Sequence, residues 1–337
     1  MNLRWSWNRF RESAQPAIPN PQVIRFHRDL AGYAVTPLME CRRAADRLGL
    51  GAIWVKDESA RFGLNSFKAL GASWAMSQVP AKVYAAATDG NHGRAVAWMA
   101  RRTGAEARVF VPRNTPQAAI TRIEAEAARV CVVAGTYDDA VRTCAEESAA
   151  HGWQVIADTG YPGYLEIPQL VVEGYSTLFV EYAEQQVVRP DIVFVQGGVG
   201  GLLCAAARHF GSTVKIVAVE PLDADCLLQS ISSEDGSPRP ASGGQNSIMQ
   251  GLNCGEVSLT AWPTVRRGVD FFMAIADELA LEAMEMMRPI DSGESGAAGL
   301  AGLIAASREP ALRAELGLGG NSRVLAINTE SSGGRSN

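Results

Sequence analysis

Short apolar runs, mostly β-branched, alternate with alanine-rich amphipathic stretches along most of this chain. Eight such runs predict strands, at residues 53–56, 83–86, 108–111, 130–133, 155–157, 192–195, 216–219 and 324–327. Helices are predicted between some of them, at residues 95–102, 116–128 and 136–151. This alternation is typical of parallel sheets covered by helices, and the near-continuous apolar strands agree because central parallel strands are buried on both faces. The pattern therefore predicts an α/β fold with parallel-rich sheets.

Composition and charge narrow the class of protein. The 337 residues are 47% hydrophobic and 20% charged, which suits one large or two medium globular domains. The net charge of -5 and the lack of a basic run argue against a nucleic-acid partner. We see neither an apolar stretch of membrane-spanning length nor the apolar core of a secretion signal. We expect a cytoplasmic protein that acts on a small molecule, with no nucleic acid and no membrane as partner.

The cysteines and histidines show no spacing that binds a metal. Six cysteines are scattered without a Cys-x-x-Cys pair, and four histidines have no metal-ligand spacing. Reduced thiols and no metal site are the expectation.

Lys68 is the first candidate for covalent chemistry. It lies in the run Lys-Asp-Glu-Ser-Ala-Arg-Phe-Gly-Leu-Asn-Ser-Phe-Lys-Ala-Leu-Gly at residues 56–71, and Thr-Asp-Gly-Asn-His-Gly follows at 88–93. An amine beside apolar neighbours is expected to have a lowered pKa because desolvation disfavours the charged form. An amine followed by a polar, glycine-rich turn indicates an enzyme that bonds an aldehyde and holds a substrate carboxylate. The alternative is a solvated surface lysine.

A glycine-rich turn, Gln-Gly-Gly-Val-Gly-Gly-Leu at residues 196–202, follows a predicted strand and opens a helix. Glycines let the backbone approach a phosphate, and a helix N-terminus supplies free N–H groups. A dinucleotide fingerprint that starts at Gly198 would need glycine at position 203, where Leu203 stands, so NAD is disfavoured. A tight strand-to-helix turn without a ligand remains the alternative.

Together these runs resemble the fold-type II pyridoxal-phosphate (PLP) enzymes, the family of serine and threonine dehydratases and tryptophan synthase β. More narrowly, they resemble the diaminopropionate ammonia-lyase family. Matching stretches include residues 87–94, 137–139, 158–159, 174–177 and 292–297, so the resemblance covers most of the chain.

The resemblance implies a set of cofactor ligands. Lys68 would bond PLP, and Asn91 would contact the phenolic oxygen of its ring. The phosphate would be bound by Gly197, Gly198, Val199, Gly200 and Gly201. A residue at the end of the last strand, either Asn328 or Thr329, would face the ring nitrogen.

The resemblance also implies substrate-handling residues. Asp89 would act on the D-isomer and Asp158 on the substrate amine, which makes electrostatic sense for a cationic diamine. The alternatives are a turn former for Asp89 and a loop acid or helix cap for Asp158. Donors to the substrate carboxylate would come from Ser66, Thr88 and Gly90, and from Asn91. Glu294 or Glu330 would line the pocket.

Two departures from the family pattern bear on substrate selection and on the C-terminal geometry. Tyr161 and Pro162 stand where the family has a Trp-Glu pair, and Ser331 and Ser332 stand where it has Gly-Asp.

By the same resemblance, a small α/β domain at residues 71–169 is inserted into a large PLP-binding domain, residues 1–70 and 170–337, with the active site in the cleft between them. The first thirty residues are expected to form a wrapping arm, and a homodimer is the default. The implied reaction is α,β-elimination of ammonia from 2,3-diaminopropionate to give pyruvate and ammonia. Serine or threonine dehydration, β-replacement on the same fold, and a binding protein without turnover are the alternatives.

Overall fold

The computed structural model describes residues 2–88, 90–186 and 188–333. Within these ranges it contains the following strands: Leu3–Trp7 (β1), Leu38–Glu40 (β2), Ala52–Asp57 (β3), Val83–Ala87 (β4), Glu106–Pro112 (β5), Arg129–Val133 (β6), Gln154–Val155 (β7), Ile192–Gln196 (β8), Lys215–Pro221 (β9), Phe271–Ile275 (β10) and Arg323–Asn328 (β11).

The α-helices of the same ranges are Pro21–Asp29 (α1), Arg42–Leu48 (α2), Lys68–Gln78 (α3), Asn91–Thr103 (α4), Gln117–Glu124 (α5), Tyr137–His151 (α6), Glu166–Gly174 (α7), Ser176–Gln185 (α8), Gly201–Phe210 (α9), Cys226–Ser232 (α10), Trp262–Gly268 (α11), Asp277–Met286 (α12), Glu294–Arg308 (α13) and Pro310–Leu316 (α14). None of them is long and apolar enough to cross a membrane.

The strands form two sheets. The larger has the order β1-β10-β9-β8-β11-β3-β2. Its inner pairs are parallel, and its two edge strands, β1 and β2, pair antiparallel. The smaller sheet, β6-β5-β4-β7, is wholly parallel and comes from one stretch of chain between β4 and β7. The predicted α/β fold with parallel-rich sheets is confirmed.

Helices cover both faces of the larger sheet, because its inner strands carry apolar side chains on both faces. Successive residues of a strand point to opposite faces. In β8, Val193 and Val195 belong to one buried cluster and Ile192 and Phe194 to the other. Such strands are apolar on both sides, which is why they appear in the sequence as unbroken apolar runs.

Each of the eight predicted strands overlaps one that the structure contains, but three strands escaped prediction. The edge strand β2 has only three residues, and the edge strand β1 alternates apolar and polar residues, so neither gives a clear strand pattern. Strand β10 is uniformly apolar but is not among the predicted strands. Residues 3–7 therefore form a sheet edge within the predicted arm. The helix predicted to residue 128 ends at Glu124, since residues 125–127 make tight turns with Ala127 at φ 64°.

A close contact between α3 and α7 fixes the position of Lys68, the first residue of α3. A Cβ atom on Gly174 would lie 2.4 Å from the carbonyl oxygen of Leu70, and one on Gly71 would lie 2.6 Å from Val171 Cγ1. Because neither glycine carries a side chain, the two helix backbones can approach closely. This packing holds the start of α3, and hence Lys68, between the two sheets.

Candidate active site

A cavity of about 920 Å³ lies where the carboxyl ends of strands from both sheets meet. Its walls come from the start of α3, the turn after β4, helices α5 and α6, the glycine turn after β8, residues 240–256 and the residues after β11. Ligands of open α/β sheets bind at this end of the strands. The cavity is therefore the candidate active site.

Lys68 and Asp158 form an ion pair in the cavity wall. Lys68 Nζ donates to Asp158 Oδ2 at 2.5 Å. Burial acts to lower the pKa of the Lys68 amine, but the charge of Asp158 and the hydrogen bond outweigh it, so the pKa is raised above its ordinary value. The prediction of a lowered pKa was wrong, because sequence neighbours revealed the desolvation but not the partner. Burial acts to raise the pKa of Asp158, but interactions with Lys68 and His92 lower it by more. The pKa of this carboxyl is therefore well below its usual range.

Asn91 begins α4 and turns its amide towards the end of β11. Its Nδ2 donates to Glu330 Oε2, and both residues line the cavity. Burial raises the pKa of Glu330, while hydrogen bonds from Ser295 and Asn91 oppose the rise. Glu294 also lines the cavity, so both glutamates named from the sequence lie where the resemblance expected them.

The glycine turn after β8 contributes four of its five predicted residues to the cavity, Gly198 to Gly201. Gly197 is set back, with its N–H donating to Val219 O at 2.8 Å and its Cα packed against Leu227. Gly200 has φ +99°, a conformation that favours glycine. The first N–H groups of α9, which begins at Gly201, have no partner within the helix and can bind an anion.

Asn328 and Thr329, between which the sequence left the choice open, face different surroundings. Asn328 is fully buried outside the cavity wall, where its amide donates to Asp57 Oδ1 at 2.8 Å and accepts from Ser292 Oγ at 2.8 Å. Thr329 lines the cavity, and its hydroxyl accepts from Gln196 Nε2 at 3.0 Å. The position of Thr329 favours it as the residue that faces a bound ring.

The predicted carboxylate-binding residues also reach the cavity. Ser66, Thr88 and Gly90 line it, and Thr88 Oγ1 accepts from the N–H groups of Gly90 and Gly93 at 3.0 and 3.2 Å. Asp89, the predicted acid for the D-isomer, lies outside the described residues.

Comparison with known proteins agrees with this geometry. Residues 30–330 match the family described as pyridoxal-phosphate dependent enzyme. The chain is 36% identical to diaminopropionate ammonia-lyase of Salmonella typhimurium, over 92% of this chain and 88% of that one, and 35% identical to its Escherichia coli K12 counterpart, over 91% and 86%. The chain belongs to the PLP-dependent enzymes and, within them, to the diaminopropionate ammonia-lyase family.

A solved structure of this family has the same fold. The crystal structure of Escherichia coli diaminopropionate ammonia lyase in complex with an aminoacrylate-PLP azomethine reaction intermediate aligns with a TM-score of 0.92 and 32% identity. The alignment covers 99% of this chain and 94% of that one. The PLP fold type II predicted from the sequence is confirmed.

The residues of the cavity fit the cofactor of the family. PLP needs an amine for its aldehyde, N–H donors for its phosphate and polar contacts for its ring. The cavity presents Lys68, the turn from Gly198 to Gly201, Asn91 and Thr329. Among the described residues, no group of three histidine, cysteine or acidic side chains could hold a metal ion.

One residue of this PLP-family site, Tyr175, was not predicted from the sequence. Tyr175, between α7 and α8, lines the cavity wall near Lys68 and packs against Phe67 with ring centroids 4.7 Å apart. Burial raises the pKa of its hydroxyl, and the charge of Lys68 opposes the rise. The run 174–177 supported the family resemblance, but the sequence offered no reason to place its tyrosine beside a lysine a hundred positions earlier.

Much of the lysine motif serves the fold rather than the cavity. Lys56 and Arg61 both pair with Glu181 of α8, at 2.8 and 2.7 Å, and Arg61 also pairs with Glu58 at 2.7 Å. All four side chains are almost fully buried, and none lines the cavity. This cluster, called here the buried ion network, ties the loop that precedes Lys68 to the helix layer.

Proposed function

We propose that this protein catalyses the PLP-dependent elimination of ammonia from 2,3-diaminopropionate, which leaves pyruvate and a second ammonia. The observation that carries the proposal is the Lys68–Asp158 ion pair in the cavity wall. The proposal is supported by the match to diaminopropionate ammonia-lyases over nine-tenths of the chain.

When bound, PLP supplies the electron sink that stabilises negative charge at the substrate Cα. The residues of this chain then have separate tasks. Lys68 would hold the cofactor through its aldehyde and, as a free amine, would move the Cα proton of the L-isomer. Asp89 moves the proton of the D-isomer. Asp158 balances the charge of Lys68 and binds an ammonium of the substrate.

The remaining cavity residues orient the cofactor and the substrate. Backbone N–H groups from Gly198 to Gly201 bind the phosphate, with Gly197 as packing support behind them. Asn91 and Thr329 would contact the ring. The substrate carboxylate is bound by Ser66, Thr88 and Gly90. Asp158, Glu294 and Glu330 line the cavity beside the cations Lys68, Arg94 and Arg122, and the ammonium groups of a diamine would pair with these carboxylates.

Three further proposals concern the domain boundaries, the cellular location and the oligomeric state of the enzyme. Residues 71–169 would form the small domain and residues 1–70 and 170–337 the large one, in line with the separate origin of the two sheets. All six cysteines are free, which suits a reducing cytoplasm. A homodimer is the default assembly, and light scattering at several concentrations tests it.

The test of function is release of pyruvate and ammonia from D- and L-2,3-diaminopropionate, beside D- and L-serine and L-threonine. Wild type and Asp89→Asn are compared. We expect turnover of both diaminopropionate isomers and selective loss of D-isomer activity in the variant. Turnover of serine or threonine alone would replace the proposal with a dehydratase, a class to which a Haemophilus influenzae L-threonine dehydratase, 33% identical over 60% of this chain, belongs. Loaded cofactor without elimination would indicate β-replacement.

A further inference from the structure

His92 has a buried ring nitrogen without a hydrogen-bond partner in the part of the chain that the structure describes. The residue lies in the first turn of α4, lines the cavity and is 6% exposed. Its Nε2 is 2.8 Å from the carbonyl oxygen of Ile156. A carbonyl only accepts, so Nε2 carries the hydrogen and Nδ1 keeps its lone pair. That Nδ1 atom is the unpartnered one.

The unpartnered nitrogen faces Asp158. His92 Nδ1 is 4.0 Å from Asp158 Oδ2, and the same oxygen accepts from Lys68 Nζ at 2.5 Å. One carboxylate oxygen therefore stands between an amine and a neutral imidazole. The distance of 4.0 Å exceeds a hydrogen bond, and a shift of about 1 Å would close it, as is common for catalytic contacts that tighten when substrate binds.

The charges around His92 depend on the state of Lys68. Burial lowers the pKa of His92, Asp158 raises it and the Lys68 ammonium lowers it. While Lys68 is charged, the imidazole stays neutral. Once Lys68 has lost its proton, one cause of the lowering is gone and the attraction of Asp158 remains, so protonation of His92 becomes more favourable.

We propose that His92 is the positioning residue for Asp158 and holds the proton that Lys68 gives up. The proton leaves Lys68 Nζ for Asp158 Oδ2 and passes from there to His92 Nδ1. An N–H bond breaks and an O–H bond forms, then the O–H bond breaks and an N–H bond forms. The result is a neutral amine, a carboxylate and an imidazolium. This inference rests on the proposed function only in that Lys68 must be neutral to act as nucleophile or base.

Two tyrosines lie near the same three residues but cannot take this proton at neutral pH. Tyr164 and Tyr175 lie near Asp158, and burial raises the pKa of both hydroxyls, so each is already protonated. Cys254, in the loop between α10 and α11, also lies near Lys68. Asp89 lies outside the described residues.

Two substitutions separate this role from mere anchoring of α4 to Ile156. In His92→Gln the amide can still donate to Ile156 O, but no base stands near Asp158. In His92→Asn a polar group remains near the Nδ1 position and the bond to Ile156 is lost. If His92 only anchors the helix, glutamine rescues activity. We expect instead that His92→Gln lowers kcat by about 100-fold, within the range for lost proton transfer, leaves KM within about threefold and alters the pH profile of kcat. A kcat close to that of wild type with an unchanged pH profile would overturn the proposal.

A second measurement does not depend on turnover. The 337-residue sequence has four histidines, so ¹⁵N-histidine NMR with His92→Gln as the assignment control isolates the His92 signals. We expect Nε2 to be protonated and Nδ1 unprotonated at neutral pH. In Lys68→Met the pKa of His92 should rise by about one unit or more, a tenfold change in proton affinity. The added change Asp158→Asn should abolish the rise.

Protonation of Nδ1 in wild type, or a His92 pKa that is the same with and without the Lys68 charge, would refute the relay. A protein that shows the coupling but releases no ammonia from diaminopropionate would instead refute the proposed function and leave the relay standing.

Discussion

Lys68 and Asp158, ninety residues apart in the chain, form an ion pair in which Nζ and Oδ2 are 2.5 Å apart. Lys68 is the first residue of α3, which follows strand β3 of the larger sheet. Asp158 lies in the loop after β7, a strand of the smaller sheet, so the ion pair links the two sheets. The amine and the carboxylate each raise the stability of the other's charged form. Substrate chemistry must disturb this pair, because an ammonium cannot act as a base.

Asp158→Asn tests the ion pair directly. The substitution leaves the buried Lys68 charge without its partner, so the pKa of the amine should fall and its proton should be lost more easily. Even so, the variant lacks the carboxylate that binds a substrate ammonium and passes on the Lys68 proton. We therefore expect kcat for ammonia release to fall by about 100-fold or more, the scale for loss of an acid–base group. The control is Asp191→Asn, which removes an exposed pair with Arg323 far from the cavity and should leave kcat unchanged. Equal kcat values for the two variants would contradict the assignment.

Gly198→Ala tests the phosphate site. A Cβ atom at this position would lie 2.9 Å from Cys254 Sγ, so either the turn or the Cys254 side chain has to shift. Crowding of this kind costs about 1–3 kcal/mol, which corresponds to PLP binding weakened by about 5- to 150-fold. The dissociation constant of PLP, measured by absorbance titration, checks this. Gly319→Ala is the control because a Cβ atom there meets nothing within 4 Å. Unchanged affinity in Gly198→Ala would mean that the phosphate binds elsewhere.

Thr329→Val and Asn328→Ala separate the two candidates for the ring nitrogen. Thr329→Val removes the hydroxyl that lines the cavity, so PLP affinity and kcat should fall while stability to urea changes little. Asn328→Ala removes the buried hydrogen bonds that its amide makes with Asp57, Ser292 and the carbonyl of Asp291, and should lower the free energy of unfolding by about 1–3 kcal/mol. Urea denaturation and PLP titration of both variants measure the difference. If Asn328→Ala weakened PLP binding and Thr329→Val lowered only the stability, Asn328 would be the residue that contacts the ring.

Glu181→Ala tests the buried ion network. The change leaves Lys56 and Arg61 buried without their shared carboxylate, and loss of one partner of such a group costs about 3–5 kcal/mol. Glu184→Ala is a matched control, three residues on in α8, because its half-exposed pair with Arg28 is worth at most about 1 kcal/mol. Urea denaturation measures both. A similar fall in the free energy of unfolding in the two variants would show that the buried ion network adds no stability beyond that of helix packing.

The same network predicts a dependence of stability on acid. Burial acts to raise the pKa of Glu181, but hydrogen bonds and charges of Arg61 and Lys56 lower it to about 2 from an ordinary 4.5. A carboxyl whose pKa is lowered by folding stabilises the folded state above its unfolded pKa. This stability should therefore be present above pH 4.5 and be lost as the pH falls towards 2. Urea denaturation of wild type from pH 6 downwards should show the loss, and Glu181→Gln should show less of it. If the free energy of unfolding falls equally with pH in both proteins, Glu181 is excluded as the source of the acid sensitivity.

The sequence by itself determined the fold class, and it predicted most of the proposed cofactor-binding residues that line the cavity. Strands that are apolar on both faces leave a signal in consecutive residues, so β3, β8 and β11 could be predicted, whereas the mixed edge strand β1 could not. Lys68, Asn91 and the glycine turn lie in short local motifs whose chemistry can be recognised before folding.

Only the tertiary structure decided which groups meet. It brought Asp158 to Lys68 and so reversed the expected direction of the Lys68 pKa shift. It set Gly197 and Asn328 behind the cavity wall and placed Tyr175 in it. It also showed that Lys56 and Arg61 of the lysine motif pair with Glu181, and that Glu58 pairs with Arg61. The physical reason is that ion pairing and burial depend on distances between residues far apart in the chain, and local sequence does not contain those distances.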